Sequence, residues 1–430
     1  MTGFPIMPFM KKPLGSPTVR EAVIRVLAGV LAALIPFPKT TAVMEISFYG
    51  AVILVLLSMR DRRFSFSLES PLAVPFALFA IWSLVGVWFS LDRENSITDL
   101  YGHLIKYLAL YYLWVSLFDS ENGLVVLSRI LIASATVFSI AAIISYYILS
   151  GHAWHERLGE PAVLGITSDY IGFFTLASLL LSLRLLQDRM PTYSKALLAV
   201  GAASIVTATV LTQSRATLLA AFASTLVLLG ARGKAWVVAC MALFGMAILF
   251  TPLGDRFSLE QFKRNERVGL YWTTVEVIKS HPWIGIGFGM QIYGNERLLD
   301  LNHYNARIPI QHQQQALIRS PHNTFLDVTV RTGVIGLVLF LSVLAAYIRM
   351  GWRVVRHAQS ASIRTWGLCL FAVFLSITVQ GLFSDGMFGP QALSLYVNFA
   401  MMTILWRVNA APKAGFGEQG LREDPDTRPA

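Results

Sequence analysis

RNERVGLYWTTVEVIKSHPWIGIGFG at residues 264–289 and RSPHNTFLDVTVRTGVIG at residues 319–336 belong to one polar stretch, residues 251–323, which opens with TPLGDRF. Apolar runs flank it on both sides. A polar insert of this length between membrane spans is a working segment more often than a connector. The rest of the chain therefore reads as the platform that holds it at a membrane surface.

Composition supports that reading. Hydrophobic residues make up 55% of the chain and charged residues 14%, with a mean hydropathy of +0.58. Soluble domains carry about 25% charged residues, so the expectation is an all-α, polytopic membrane protein. About twelve candidate spans lie near residues 22–38, 43–59, 70–90, 103–119, 124–149, 165–184, 195–213, 215–231, 234–252, 326–349, 364–383 and 391–407. The first twenty residues form a short basic lead with no cleavage site after the first apolar run, so no removable leader is expected. Cys240 and Cys369 both fall in apolar runs, where packed thiols are expected rather than a disulfide or zinc ligands. The net charge of +10 suits loops that face anionic lipid headgroups, not nucleic acid.

Basic residues set the orientation. Arg60, Arg62 and Arg63, then Arg184, Arg189 and Lys195, then Arg232 and Lys234, then Arg349, Arg353, Arg356 and Arg364 mark one side, which Arg407 and Lys413 continue. This predicts cytoplasmic termini. The expected organisation is a bundle of about nine spans over residues 1–252, a periplasmic catalytic loop over 253–323, a bundle of about three spans over 324–409, and a disordered cytoplasmic tail over 410–430.

Inside the loop, Val268, Tyr271, Trp272, Val275 and Ile278 recur at helical spacing and predict one apolar face. Pro282 ends that helix. WIGIGFG, with Gly285, Gly287 and Gly289, predicts a turn at which backbone approaches something closely. Its spacing is not that of a dinucleotide fingerprint. The Gln-rich segment 300–320 reads as a flap.

His322 stands where the loop meets the next span, with Asn323, Asp327 and Arg331 following at helical spacing. A helix cap with an ordinary Asp327–Arg331 pair explains the pattern as well as a catalytic base does. Arg215, in LTQSRATLLA, lies between two apolar runs on the same side, where a snorkelling side chain is the alternative. Arg267 either binds phosphate or solvates its helix. Arg256, Lys263, Arg264, Arg297, Arg307 and Arg319 add to a basic surface that suits an anionic, phosphorylated ligand. The sequence contains no metal or nucleotide motif, so neither a metal nor another cofactor is expected.

Four features together resemble the O-antigen ligase and polymerase group of bacterial membrane glycosyltransferases. They are many spans with one large late loop, the arginine of TQSRA, the block from Arg267 through HPWIGIGFG, and HNTFLDVTVRTGVIG at the loop's exit. The resemblance covers residues 200–390 well; before about residue 190 only hydropathy matches. It implies a fold like that of multi-span transferases with lipid-linked donors. It also implies metal-independent, inverting transfer of O-antigen from undecaprenyl diphosphate to the lipid A core at the periplasmic face of the inner membrane. His322 and Arg215 would be catalytic. Arg267, Arg264, Arg319, Asp385 and Asn323 would bind substrate. A polymerase of the same group and a lipid or polysaccharide transporter without chemistry are the competing readings.

Overall fold

The computed structural model describes residues 19–61, 67–160, 165, 167–229, 266–386 and 389–411. The described residues form helices and no strands. In chain order they are α1 (Val19–Ala33), α2 (Thr41–Arg60), α3 (Ala73–Trp88), α4 (Arg93–Leu100), α5 (Lys106–Leu117), α6 (Glu121–Ile143), α7 (Ser168–Leu185), α8 (Thr192–Leu211), α9 (Arg215–Leu229), α10 (Glu266–Ser280), α11 (Leu301–Asn305), α12 (Thr324–Arg356), α13 (Ala361–Gly381) and α14 (Gly389–Ala410). A π-helical segment, Tyr101–Ile105, joins α4 to α5, and another, Ile144–Leu149, extends α6.

Six helical segments among the described residues are long and apolar enough to cross a membrane: Pro38–Arg60, Glu121–Leu149, Ser168–Leu185, Thr192–Leu211, Thr324–Arg356 and Ala361–Gly381. The chain is a helical membrane protein, but about twelve spans were expected. Among the described residues the difference comes from where helices stop. The runs at 22–38 and 70–90 become helices of 15 and 16 residues, short of the roughly 20 that a span needs. The expected span at 234–252, Cys240 and the 412–430 part of the tail lie outside the described residues.

The core is built from the bundle helices. α9 packs on α13, α7 on α8 and α13, α12 on α3, and α14 on α5. Trp114, Tyr111, Tyr347 and Trp366 are fully buried. The polar tips of Trp114, Tyr111 and Tyr347 find partners, as an apolar surrounding demands. Trp114 Nε1 donates to the Ala28 carbonyl at 3.0 Å, and the Tyr347 hydroxyl lies 2.6 Å from Asn398 Oδ1. Cys369 is buried on α13, with its thiol against the Leu180 carbonyl. At the bundle end far from the loop, Arg184 joins Asp188 and Ser362 and lies over the Trp366 ring.

The loop has its own small core, formed by Val277, Ile286, Ile292, Tyr293, Leu299 and Leu301 with Val330 of α12. What docks it on the bundle is a break in α12. Gly333 leaves helical geometry with φ +71°, which withdraws the usual helical donors from the carbonyls before it. The WIGIGFG turn supplies replacements. Ile286 N donates to Val330 O at 2.9 Å, and Gly287 N to Arg331 O at 3.1 Å. Trp82 Nε1 caps Thr332 O at 2.8 Å, and Val334 N turns to Pro282 O at 2.8 Å. The expected close approach of backbone at these glycines is thus an exchange of hydrogen bonds between loop and broken helix. The 90–99 segment closes the other side. Ser96 accepts from Gly289 N, Asp99 from Met290 N, and Asn95 from Gln291 N.

A side chain at 333 has nowhere to go: its Cβ would lie 2.0 Å from the Trp283 carbonyl oxygen. Gly333→Ala is expected to destabilise the loop's docking by about 2–4 kcal/mol, from overpacking plus left-handed strain. The measurement is the melting temperature of the purified variant together with protease sensitivity at 282–292. A melting temperature and cleavage pattern like wild type would show that the break tolerates a Cβ.

Candidate active site

Helix α10 carries one wall of the site. The sequence pattern assigned its buried face to Val268, Tyr271, Trp272, Val275 and Ile278. In the structure the buried stripe is instead Leu270, Thr273, Thr274 and Val277, and Trp272 is 44% exposed. The two threonines bury because each hydroxyl bonds a carbonyl one turn back, Gly269 O and Leu270 O. Threonine is then as good a packing surface as an aliphatic residue. The Gln-rich segment is pinned to this helix rather than standing off as a flap. Gln314 Nε2 donates to Thr273 Oγ1 at 3.1 Å, and Gln314 N donates to Asn305 Oδ1 at 3.0 Å.

The rotation presents Arg267 and Tyr271 to the start of α12. Tyr271 donates to the Leu382 carbonyl at 3.1 Å, which Asn323 Nδ2 also reaches at 3.0 Å. Asn323 caps α12: its Oδ1 accepts from Phe325 N and Leu326 N. The capping role that the pattern allowed for His322 therefore belongs to its neighbour. His322 itself adopts a left-handed backbone with φ +45°, a conformation uncommon for a residue with a side chain. Its ring turns toward the 382–386 segment, where Nδ1 lies 3.1 Å from Asp385 Oδ2. The same carboxylate oxygen accepts from the Ser320 hydroxyl. Thr324 holds the turn that presents Asp385, donating to Ser384 O at 3.1 Å and accepting from Gly386 N at 2.9 Å.

This pairing shifts both groups. The hydrogen bond to Asp385 raises the His322 pKa above its ordinary value, against burial and Arg267, which lower it. Burial pushes Asp385 up, but its hydrogen bond with His322 and the charge of that ring outweigh the burial and leave it below the usual carboxylate range. With Nδ1 facing a carboxylate, the ring proton belongs on Nδ1. Nε2 then offers the lone pair.

A second cluster stands close enough to act on the His322 ring. Arg267 and Asp169 both influence it, with opposite signs. Asp169, in the first turn of α7, bridges two arginines: Oδ2 lies 3.7 Å from Arg267, and Oδ1 accepts from Arg157 at 3.0 Å. Arg157 also donates through Nε to the Thr212 carbonyl at 2.8 Å. Thr212 begins the turn that leads into Arg215, the first residue of α9. Two residues on, Thr217 hydrogen-bonds Gln380 of α13 at 3.0 Å. The ends of α7, α9, α10, α12 and α13 thus meet around His322.

Among the residues singled out from the sequence, His322, Arg267, Asn323 and Asp385 come together here, and Arg215 stands at the adjoining end of α9. Asp385, which the resemblance assigned to substrate, is the ring partner of His322. Asp327 is fully buried one turn along and forms with Arg331, at 2.6 Å, the pair that the spacing allowed. Arg331 continues to the Gly289 and Met290 carbonyls, so this pair ties α12 to the WIGIGFG turn. Arg319 points elsewhere and pairs with Glu296 at 2.5 Å, both well exposed. Arg264, Arg256 and Lys263 lie outside the described residues. Asp169 and Arg157 are not among the residues singled out from the sequence, because before about residue 190 the resemblance rests on hydropathy alone. The available signal was a carboxylate in the first turn of an apolar span, ITSDYIG, twelve residues after an arginine.

The fold and site together define a multi-pass helical membrane protein with a His–Asp pair and an arginine-rich cluster at one end of its bundle. Residues 197–341 match the model of a family described as O-Antigen ligase, and this match supports an assignment to that family. That family implies an activity of the ligase or polymerase type, with polysaccharide and lipid-linked substrates in general. No curated protein matches the chain. The matched residues include Arg215, Arg267 and His322, whereas Asp385, Asp169 and Arg157 fall outside them.

Proposed function

We propose that this protein is an O-antigen ligase that moves a glycan from undecaprenyl diphosphate to a sugar hydroxyl of the lipid A core. The observation that carries the reading is the His322–Asp385 pair set beside Arg267, Asp169 and Arg157. His322 Nε2 takes the proton of the acceptor hydroxyl as its oxygen attacks the anomeric carbon. The bond from that carbon to the diphosphate oxygen breaks on the opposite face, so configuration inverts. The diphosphate leaves with the bonding electrons. Arg267 and Arg215 bind it and offset the growing charge. Asp385 holds the ring in the Nδ1–H tautomer and stabilises the imidazolium that forms. In this proposal the site lies at the periplasmic face of the inner membrane, and the fold is of the kind used by other multi-span transferases with lipid-linked donors.

Deleting the gene and examining the surface glycan tests the reading. Long chains left on the carrier lipid support it. Single repeats on the lipid A core indicate a polymerase, and an export block with no external glycan indicates a transporter.

A further inference from the structure

The carboxylate between the two arginines has no part in the chemistry above. Asp169 reaches Arg157 at 3.0 Å and Arg267 at 3.7 Å, and each of the three side chains is about one-third exposed: 36% for Asp169, 35% for Arg157 and 34% for Arg267. A purely structural bridge gains little at such exposure. It also places a negative charge at the mouth where a diphosphate is to arrive. Phosphate oxygens and a carboxylate make the same forked contacts with guanidinium groups. The carboxylate therefore occupies the position of the anionic ligand that the arginines suit.

We propose that Asp169 is a built-in counter-ion of the diphosphate site, a positioning residue that keeps Arg157 and Arg267 gathered beside His322 and yields them to the arriving diphosphate. The inference rests on the transferase reading. It adds Arg157 to the groups that receive the ligand, and it makes binding a replacement of one anion by another. Three things follow. The arginines stay folded toward the site between turnovers instead of extending to solvent. Donor affinity is held below its maximum, because the displaced carboxylate remains nearby as a like charge. Release of the spent polyprenyl diphosphate is helped, because Asp169 reclaims the arginines as the product leaves.

Binding of inorganic pyrophosphate and of farnesyl diphosphate to the purified full-length protein, measured by calorimetry, tests this on wild type, Asp169→Asn, Asp169→Ser and Asp169→Glu. Melting temperatures are taken on the same samples. Removing a like charge at this partly exposed position is expected to tighten binding about 3- to 10-fold in the two neutral variants. Asp169→Glu, which keeps the charge, should bind like wild type. In a transfer assay the neutral variants should show a lower KM for donor and a lower kcat, as product release slows. Unchanged or weaker diphosphate binding by a folded Asn or Ser variant overturns the counter-ion role and makes the bridge structural. If only one neutral variant folds, that one decides. Wild-type protein that transfers glycan but shows no tightening on neutralisation defeats this inference alone. Wild-type protein that binds no diphosphate defeats the transferase reading with it.

Discussion

Replacing His322 with asparagine is expected to lower turnover about 10²–10⁴-fold, the range that general-base catalysis contributes, while diphosphate binding and melting temperature stay near wild type. The variant is chosen to separate chemistry from structure. Asn323, not His322, caps α12, and asparagine tolerates the left-handed backbone at 322 at least as well as histidine. The fold therefore loses little. The decisive sample is purified His322→Asn, assayed for transfer, donor affinity and thermal stability together. Activity within a few-fold of wild type would place the base elsewhere.

The pH profile adds a check in the same assay. A base works in its neutral form, so kcat/KM should fall as pH drops through the pKa of His322, which Asp385 holds above its ordinary value. Asp385→Asn removes the largest raising influence and leaves burial and Arg267, which lower the pKa, against the smaller raising influence of Asp169. The acid limb should therefore move to lower pH, with a reduced maximum from the less well oriented ring. An unmoved limb would mean that the titrating group is not His322.

The second large effect is expected at Arg267. Arg267→Ala should weaken donor binding about 10²-fold, the loss of one or two charge-assisted hydrogen bonds to phosphate at a partly exposed position. Arg267→Lys should recover little of this, because a point charge cannot reproduce a planar fork. The alanine variant also leaves Asp169 facing the ligand with one arginine instead of two. Donor KM and diphosphate affinity are the readouts. Values within threefold of wild type would remove Arg267 from the diphosphate site. The sign of the effect is opposite to that expected for neutral substitutions at Asp169, so the two series test different halves of one cluster.

Much was legible in the chain because hydropathy and local chemistry are local properties. The membrane class follows from 14% charged residues against 55% hydrophobic ones, and no packing detail can reverse that balance. Pro282 ends α10, and the glycines of WIGIGFG announce a close backbone approach, because those residues act through their own dihedral limits. His322 drew notice by its place at the mouth of a span. What the glycines approach was not legible. Their partner is a break at Gly333, and a glycine inside an apolar run looks the same whether its helix is straight or broken.

The tertiary structure decided everything that depends on which ends of separate helices meet. Asp385 becomes the partner of His322 because Thr324 clamps a turn some sixty residues away in sequence. Asp169 and Arg157 enter the site because the start of α7 abuts α10 and the turn before α9. No periodicity couples residues 157, 169, 267 and 322: long-range contacts are set by packing, and packing depends on the whole bundle. The buried face of α10 likewise turned on two threonine hydroxyls satisfied by their own helix, which let polar residues bury and left Trp272 outside. The sequence alone determined the kind of protein and several of its reactive groups. Which carboxylate serves the histidine and which holds the arginines was decided by the meeting of helix ends.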